Sequence, residues 1–299
     1  MKTARRGCPL SLSFIFKAYL PKADKTPRNE RRDHLSYFGR RGSTGVGCTF
    51  NRQAEVTVSE GAANKLYFNS KPLIIPTVWR AVAELTDRKM RIEINSPLPL
   101  GSGFGVSGAS TLAALAAVNK LFGLKKKGGK LALIAHYAEI REKTGLGTVA
   151  TQITGGFLVK SAPGIPVKYK ILPLTGKKIY AVYLGSYKTE EILKDRDKLS
   201  RINQFATRAL TEINNSTKPS IGEIMDISYK YWKRSKIFGS KRAEKLVEII
   251  KKQGGSATVA IIGQVVLSNI RPVLRGQREI GDSPLNIEEL TITDDRIKF

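Results

Sequence analysis

Between Leu98 and Ser110 the chain reads LPLGSGFGVSGAS, which sets Gly101, Gly103, Gly105 and Gly108 among Ser102, Ser107 and Ser110. Glycine carries an entropic cost on folding and is kept where φ must be positive or where backbone must come very close to something. A glycine-rich turn opening a helix presents free N–H groups and the positive end of the helix dipole, chemistry that suits a phosphate. The same turn also serves as a plain strand-to-helix connection, and its spacing matches neither of the usual nucleotide motifs. No Gly-Lys-Ser/Thr ending follows, as a P-loop requires. A G-x-G-x-x-G does stand at Gly103, Gly105 and Gly108, but no acidic residue lies at the distance a dinucleotide site needs.

Apolar segments flank the loop and argue against a flexible linker. KMRIEIN (Lys89 to Asn95) alternates as a half-buried strand, and Thr111 to Leu121 is an Ala- and Leu-rich helix. Upstream, the pattern predicts a strand over Pro9 to Phe16, a strand AEVTV at 54–58 after the segment GSTGVGCTF, and a helix over 77–87. Downstream it predicts a helix over 131–143 and a second unit opening with strand KIYAVYLG at 178–185. Helical stretches follow at 189–194, 197–214, 220–234 and 240–253, then one strand over 258–268 and a last one in ELTITDD. Strands and helices mix without strict alternation, so the fold class is α+β rather than a doubly wound sheet. A division into 1–173 and 174–299 puts the glycine loop in the first of two lobes.

With 299 residues, 41% apolar and 25% charged, the chain can bury a full core. No apolar run approaches the roughly 18 residues of a spanning helix. Lys17 closes the short apolar run near the start and no small-residue cleavage site follows, so the expectation is a cytoplasmic protein without a membrane partner. Cys8 and Cys48 are too few for a disulfide framework, and His34 and His136 alone do not support a histidine zinc site. Fifty-one Lys and Arg against 25 Asp and Glu give a net charge of +26, a field that favours anionic partners. The basic clusters at 25–34, 40–41, 125–127 and 233–236 lack interleaved aromatics for stacking bases. A positive surface around a site for anionic small molecules accounts for the charge, and no specific nucleic acid is expected.

Three separated segments follow one pattern. LPLGSGFGVSGA resembles the phosphate loop of the GHMP kinases (galactokinase, homoserine kinase, mevalonate kinase, phosphomevalonate kinase), roughly Pro-x-x-x-Gly-Leu-Gly-Ser-Ser-Ala-Ala. PLSLSFIF sits where that family has its first, substrate-side strand, and GGSATVAIIG (254–263) where its third, glycine-containing motif is expected. Within the family, GSGFGVSGA is similar to the form in archaeal pantoate kinases. So are RRGSTGVGCTFNRQAEVTV, AHYAEIREKTGLGTVATQITGGFLVKSAPGIP, LGSYKTEEILKD and SATVAIIGQVVLS, in the same order. The resemblance implies a two-lobed fold with the active site in the interlobe cleft, and ATP and Mg2+ as cofactors. It implies phosphorylation of the terminal hydroxyl of pantoate to 4-phosphopantoate on a route to coenzyme A. Oligomeric state is not legible, a homodimer being the commonest assembly.

The resemblance places Pro99, Gly101, Ser102, Gly103, Phe104, Gly105, Val106, Ser107, Gly108 and Ala109 around ATP, with Ser107 and Glu139 at the magnesium ion. Taken alone, Ser107 is equally an N-cap, and a helical Glu is usually a solvated face residue. His136, three residues before Glu139 on the same helix face, is either packed or functional. Two departures stand out. Gly147-Thr148-Val149 occupies the place where many members have an Asp base, and Ser11 the place of a Lys or, in pantoate kinases, a His. Threonine is no base near neutral pH. Phosphoryl transfer has a loose transition state, so positioning and charge neutralisation carry most of the acceleration, and Thr148 is assigned a positioning role.

A pantoate site needs a basic fork for the carboxylate, hydroxyl partners and an apolar wall. Arg41, beside Ser43, is one candidate cation, and Lys188 is its rival; Ser11, Ser13 and Thr189 are the hydroxyl partners. The alternatives are another acceptor (homoserine, shikimate or a mevalonate-type alcohol), a non-kinase enzyme on the same fold, and a basic nucleic-acid-binding protein.

Overall fold

The structure, a computed structural model, describes residues 2–20, 34–186, 189–261, 263–274 and 285–299. The first half is built from β1 (Thr3–Tyr19), α1 (His34–Gly39), β2 (Gly42–Glu60), the short strands β3 (Lys65–Phe68) and β4 (Lys71–Pro72), α2 (Pro76–Ala83) and β5 (Met90–Asn95). Then come α3 (Val106–Leu121), α4 (Gly128–Arg141), α5 (Thr148–Thr154), β6 (Phe157–Ala162) and β7 (Lys168–Leu172). The second half holds β8 (Lys178–Gly185), α6 (Thr189–Lys194), α7 (Arg196–Asn215), α8 (Ile221–Ser235), α9 (Lys241–Lys252), β9 (Ala257–Val259), β10 (Gln264–Ser268) and β11 (Ile287–Thr293). The fold is α+β, as the mixed order of elements led one to expect.

Among the described residues the strands run β4-β3-β5-β2-β11-β8-β10-β9, with β1 and β6 also on β2 and β7 beyond β6. Alternation sends Cys8, Leu10, Leu12, Phe14 and Phe16 of β1 into the core. Against β1 and β2 lies α3, whose Ala-rich sequence is apolar nearly all round and accordingly buried. The helices α7, α8 and α9 are amphipathic and begin at side-chain caps: Asp195, Ser220 and Ser240 accept from the backbone N–H of Lys198, Glu223 and Ala243 at 2.8, 3.1 and 3.2 Å. No helix among the described residues is long and apolar enough to cross a membrane.

Element ends shift, α2 stopping at Ala83 where a helix to 87 was expected and β1 running Thr3–Tyr19 rather than Pro9 to Phe16, and two further expectations change in kind. The segment GSTGVGCTF is part of strand β2, paired with β1 on one side and β6 on the other. The single strand expected over 258–268 is two strands, β9 and β10, which pair antiparallel about a turn. Gly263 makes that turn: its φ is +143°, and a Cβ there would fall 2.1 Å from the Ser102 carbonyl oxygen in the glycine loop.

The two halves meet along β1 and β11. β11 pairs with Lys178–Val182 of β8 and then, through Ile292 and Thr293, with Phe50 and Thr49 of β2. The backbone of β1 is tied to the second half by side chains. Asn203 bonds both ways with the backbone of Ala18, Ser228 Oγ donates to the Phe14 carbonyl at 2.6 Å, and Tyr231 Oη donates to the Phe16 carbonyl at 2.8 Å. Nearer the glycine loop, the Ser11 N–H donates to the Phe104 carbonyl and the Ile261 N–H to the Ser13 carbonyl. β1 therefore forms the floor of a cleft with the glycine loop on one wall and the β9–β10 turn on the other.

Candidate active site

The cleft gathers residues from seven parts of the chain. Ser11 and Ser13 come from β1, Ser43 from the start of β2, and Gly101, Gly103, Gly105, Val106, Ser107 and Gly108 from the glycine loop and α3. Thr144 to Thr148 come from the connection between α4 and α5, Lys160 from β6, Thr189 from α6 and Ile261 from the β9–β10 turn. A larger, shallower groove elsewhere, lined by Arg6, Phe50, Arg52, Ser96 and Arg296 among others, holds neither the loop nor Glu139.

The loop is anchored by its own alternation. Phe104 is buried against Phe50, with ring centroids 6.0 Å apart, and the Ser102 hydroxyl turns back to the Pro99 carbonyl. Between these anchors Gly101, Gly103 and Gly105 take φ values of +77°, +90° and +70°, which a side chain would strain. Gly105 is the N-cap of α3 and offers no side-chain cap, and Val106, Ser107 and Gly108, whose N–H groups have no partner within the helix, line the cleft. This corrects the capping alternative for Ser107: it lies inside the first turn, and its hydroxyl has no protein partner.

Glu139 is 2% exposed on α4. One carboxylate oxygen accepts the Thr148 backbone N–H at 3.2 Å; the other has no hydrogen-bond partner and lies 3.7 Å from His136 Nδ1. His136 is fully buried, and its Nε2 donates to the Arg41 carbonyl at 2.8 Å. Among the described residues no cluster of three His, Cys, Asp or Glu side chains could hold a metal unaided. The unpartnered oxygens of Ser107 and Glu139 suit the alternative, a magnesium ion shared between one or two protein oxygens and phosphates.

Lys160 is the feature sequence reasoning missed. It is 5% exposed, and its ammonium donates to the Gly147 carbonyl at 2.8 Å. Burial pulls its pKa down to about 8, against the opposing influence of the Glu139 charge. One of 51 basic residues draws no notice in the sequence, but Lys160 follows Phe157-Leu158-Val159 in a strand covered on both faces, where a lysine must be buried.

Of the other candidates, Ser11, Ser13, Ser43, Thr148 and Thr189 are brought together with the loop. Arg41 is not: its guanidinium stacks over the Tyr37 ring, 4.9 Å from the centroid, outside the cleft lining. Lys188 lies outside the described residues. Pro99 is exposed at the mouth of the loop, and Ala109 is buried within α3.

Comparison with known proteins finds relatives of sequence and of fold. Residues 74–156, which span α2 to α5 and the glycine loop, match the family described as GHMP kinases N terminal domain. The chain is 29% identical to the pantoate kinase of Methanocaldococcus jannaschii over 195 residues, 64% of this chain and 70% of that protein. It is 24% identical to the pantoate kinase of Methanospirillum hungatei over 230 residues, 74% of this chain and 76% of that protein. Among solved structures, a phosphotransferase related to the CoA biosynthesis pathway superposes with a TM-score of 0.78 at 20% identity, covering 99% of this chain and 98% of the other, which is a likeness of fold. These likenesses place residues 74–156 with the GHMP kinase N-terminal domain, and the chain as a whole shares the fold of that phosphotransferase.

Proposed function

We propose that the chain transfers the γ-phosphoryl group of ATP to the terminal hydroxyl of pantoate, giving 4-phosphopantoate and ADP. One observation carries the class of acceptor, an alcohol that bears a carboxylate: a buried lysine in the cleft has a carbonyl, not a carboxylate, as its bonding partner. The Glu139 charge acts on Lys160 without a hydrogen bond between them, so an incoming carboxylate would be its first direct ionic partner, and anionic acceptors are favoured over neutral alcohols. Ser11, Ser13, Ser43 and Thr189 supply hydroxyls for the acceptor's own, and Ile15, Phe16, Leu146 and Ile261 supply an apolar wall for its gem-dimethyl group. The names of the two relatives point to the same acceptor.

In the reaction the acceptor oxygen bonds to the γ-phosphorus as the bond to the β-bridging oxygen breaks. The free N–H groups at the start of α3 receive the phosphates. Ser107 and Glu139 would hold Mg2+, whose chemistry is to neutralise charge on the phosphate oxygens. Thr148 acts through its backbone, which fixes the Glu139 carboxylate. No side-chain base is assigned: in a loose transition state the hydroxyl proton leaves late, once the new O–P bond is forming, and passes to an oxygen of the transferred phosphoryl group or to solvent water.

The test is ADP release from magnesium-ATP with pantoate, pantothenate, homoserine, shikimate and mevalonate in turn. Turnover confined to pantoate is expected. Turnover with a different acceptor alone keeps the phosphoryl transfer and replaces the substrate. Silence with all five overturns the proposal.

A further inference from the structure

The buried amide of Gln152 on α5 is used by nothing in the mechanism above. Gln152 is fully buried, and its Nε2 donates to the Gly105 carbonyl at 2.8 Å. That carbonyl also accepts the Ala109 N–H at 3.1 Å, so both its lone pairs are engaged. The amide is wedged between two loop glycines. A Cβ on Gly105 would lie 2.9 Å from Gln152 Nε2, and one on Gly108 would lie 2.8 Å from Oε1.

Peptide planarity turns this contact into a statement about the ligand. In a trans peptide the C=O and the following N–H point in opposite directions. Pinning the Gly105 carbonyl toward α3 and α5 therefore turns the Val106 N–H the other way, out of the helix start toward the cleft that Val106 lines. One peptide earlier, the Ser11 N–H pins the Phe104 carbonyl at 3.1 Å and sets the Gly105 N–H in the same manner. The first of these pins is a side chain that evolution can remove, the second a backbone group. We propose that Gln152 is the positioning residue of the phosphate loop, aiming the Val106 N–H at the bound nucleotide's phosphates. This rests on reading the loop as the triphosphate cradle, though not on the identity of the acceptor. The other end of Gln152 is also held: its backbone carbonyl accepts the Ile297 N–H at 3.1 Å, which ties α5 to the segment after β11.

The test measures magnesium-ADP binding directly, by calorimetry, alongside KM for ATP and for the acceptor. Gln152→Met keeps the volume and removes the donor; Gln152→Glu keeps the shape and sets an oxygen against the Gly105 carbonyl. Loss of one buried hydrogen bond predicts about a five- to tenfold weaker magnesium-ADP affinity and a matching rise in KM for ATP in Q152M, with a larger effect in Q152E. KM for the acceptor is expected to stay within about twofold. Nucleotide affinity within twofold of the parent in a variant whose melting shows it folded overturns the inference, as does an equal rise in both KM values. A parent chain that binds no magnesium-ADP overturns it too. A parent that binds the nucleotide but phosphorylates none of the five acceptors leaves it standing and removes only the proposed function.

Discussion

Lys160 sets a stability cost against a binding gain at one residue. Its pKa falls from 10.5 to about 8, which corresponds to about 3 kcal/mol held against the charged form. Below pH 8 the ammonium is charged in the folded chain and the penalty is fully present; between about 8 and 10.5 the folded chain sheds its proton first and the penalty is relieved. Lys160→Met should therefore raise stability at pH 7 by about 1–2 kcal/mol, read from urea unfolding, and the gain should shrink at pH 10. Binding runs the opposite way, because an anionic acceptor needs the charged form. KM for pantoate should be flat below pH 8, rise above it in the parent, and be high and pH-independent in K160M. At the neighbouring positions, Ser107→Ala and Glu139→Gln should each lower kcat about a hundredfold. Thr148→Ala keeps the backbone N–H that holds Glu139 and should lower kcat by less than about tenfold. Ser107 was singled out through the resemblance of its loop to the family's, and the structure puts it in the cleft lining. Lys160 was not, because its significance lies in burial and a single lysine among so many cations carries no mark of it.

At the scale of elements, the packing of α3 on α5 reverses a familiar rule. Glycine inside a helix costs about 1 kcal/mol relative to alanine, so Gly108→Ala would ordinarily stabilise α3. Here the new methyl would sit 2.8 Å from Gln152 Oε1 and 3.0 Å from Thr148 Cγ2. G108A should lower the melting temperature and weaken magnesium-ADP binding together. Helices were the more legible elements: α6 lies where its pattern put it, and α7 to α9 within a residue or two, because amphipathic spacing and side-chain caps are local. The strands from GSTGVGCTF and from 258–268 were misjudged for one shared reason. Their glycines answer to contacts with distant chain, β1 in the first case and the phosphate loop in the second, and local pattern holds no record of a partner brought up by the fold.

Across the whole molecule the chain carries a charge of +26, and among the described residues Lys160 alone of the lysines is buried, so their basic charge lies at the surface. A field of that size draws in a polyanion such as ATP and is screened by salt. Raising ionic strength from about 0.05 to 0.5 M should lower kcat/KM for magnesium-ATP by about tenfold while kcat changes little. Retention on DNA should vanish over the same range without sequence preference. The α+β class was legible in the mixed order of elements, whereas the way the halves interlock was not. No pattern in ELTITDD says that one strand will pair with both β8 and β2.

That last pairing bears on how the protein is made. Thr49 receives its partner Thr293 from 244 residues further along the chain, so a ribosome must add almost the whole sequence before β2 has its full set of neighbours. Synthesis at roughly 5–20 residues per second leaves that edge open for on the order of ten to fifty seconds. An open strand edge is a template for pairing with other chains. β11 pairs only with Thr49 and Phe50 of β2, whose other pairings, to β1, β5 and β6, all lie within the first half, so what waits for the end of synthesis is a two-residue gap and the first half can assemble before it is closed.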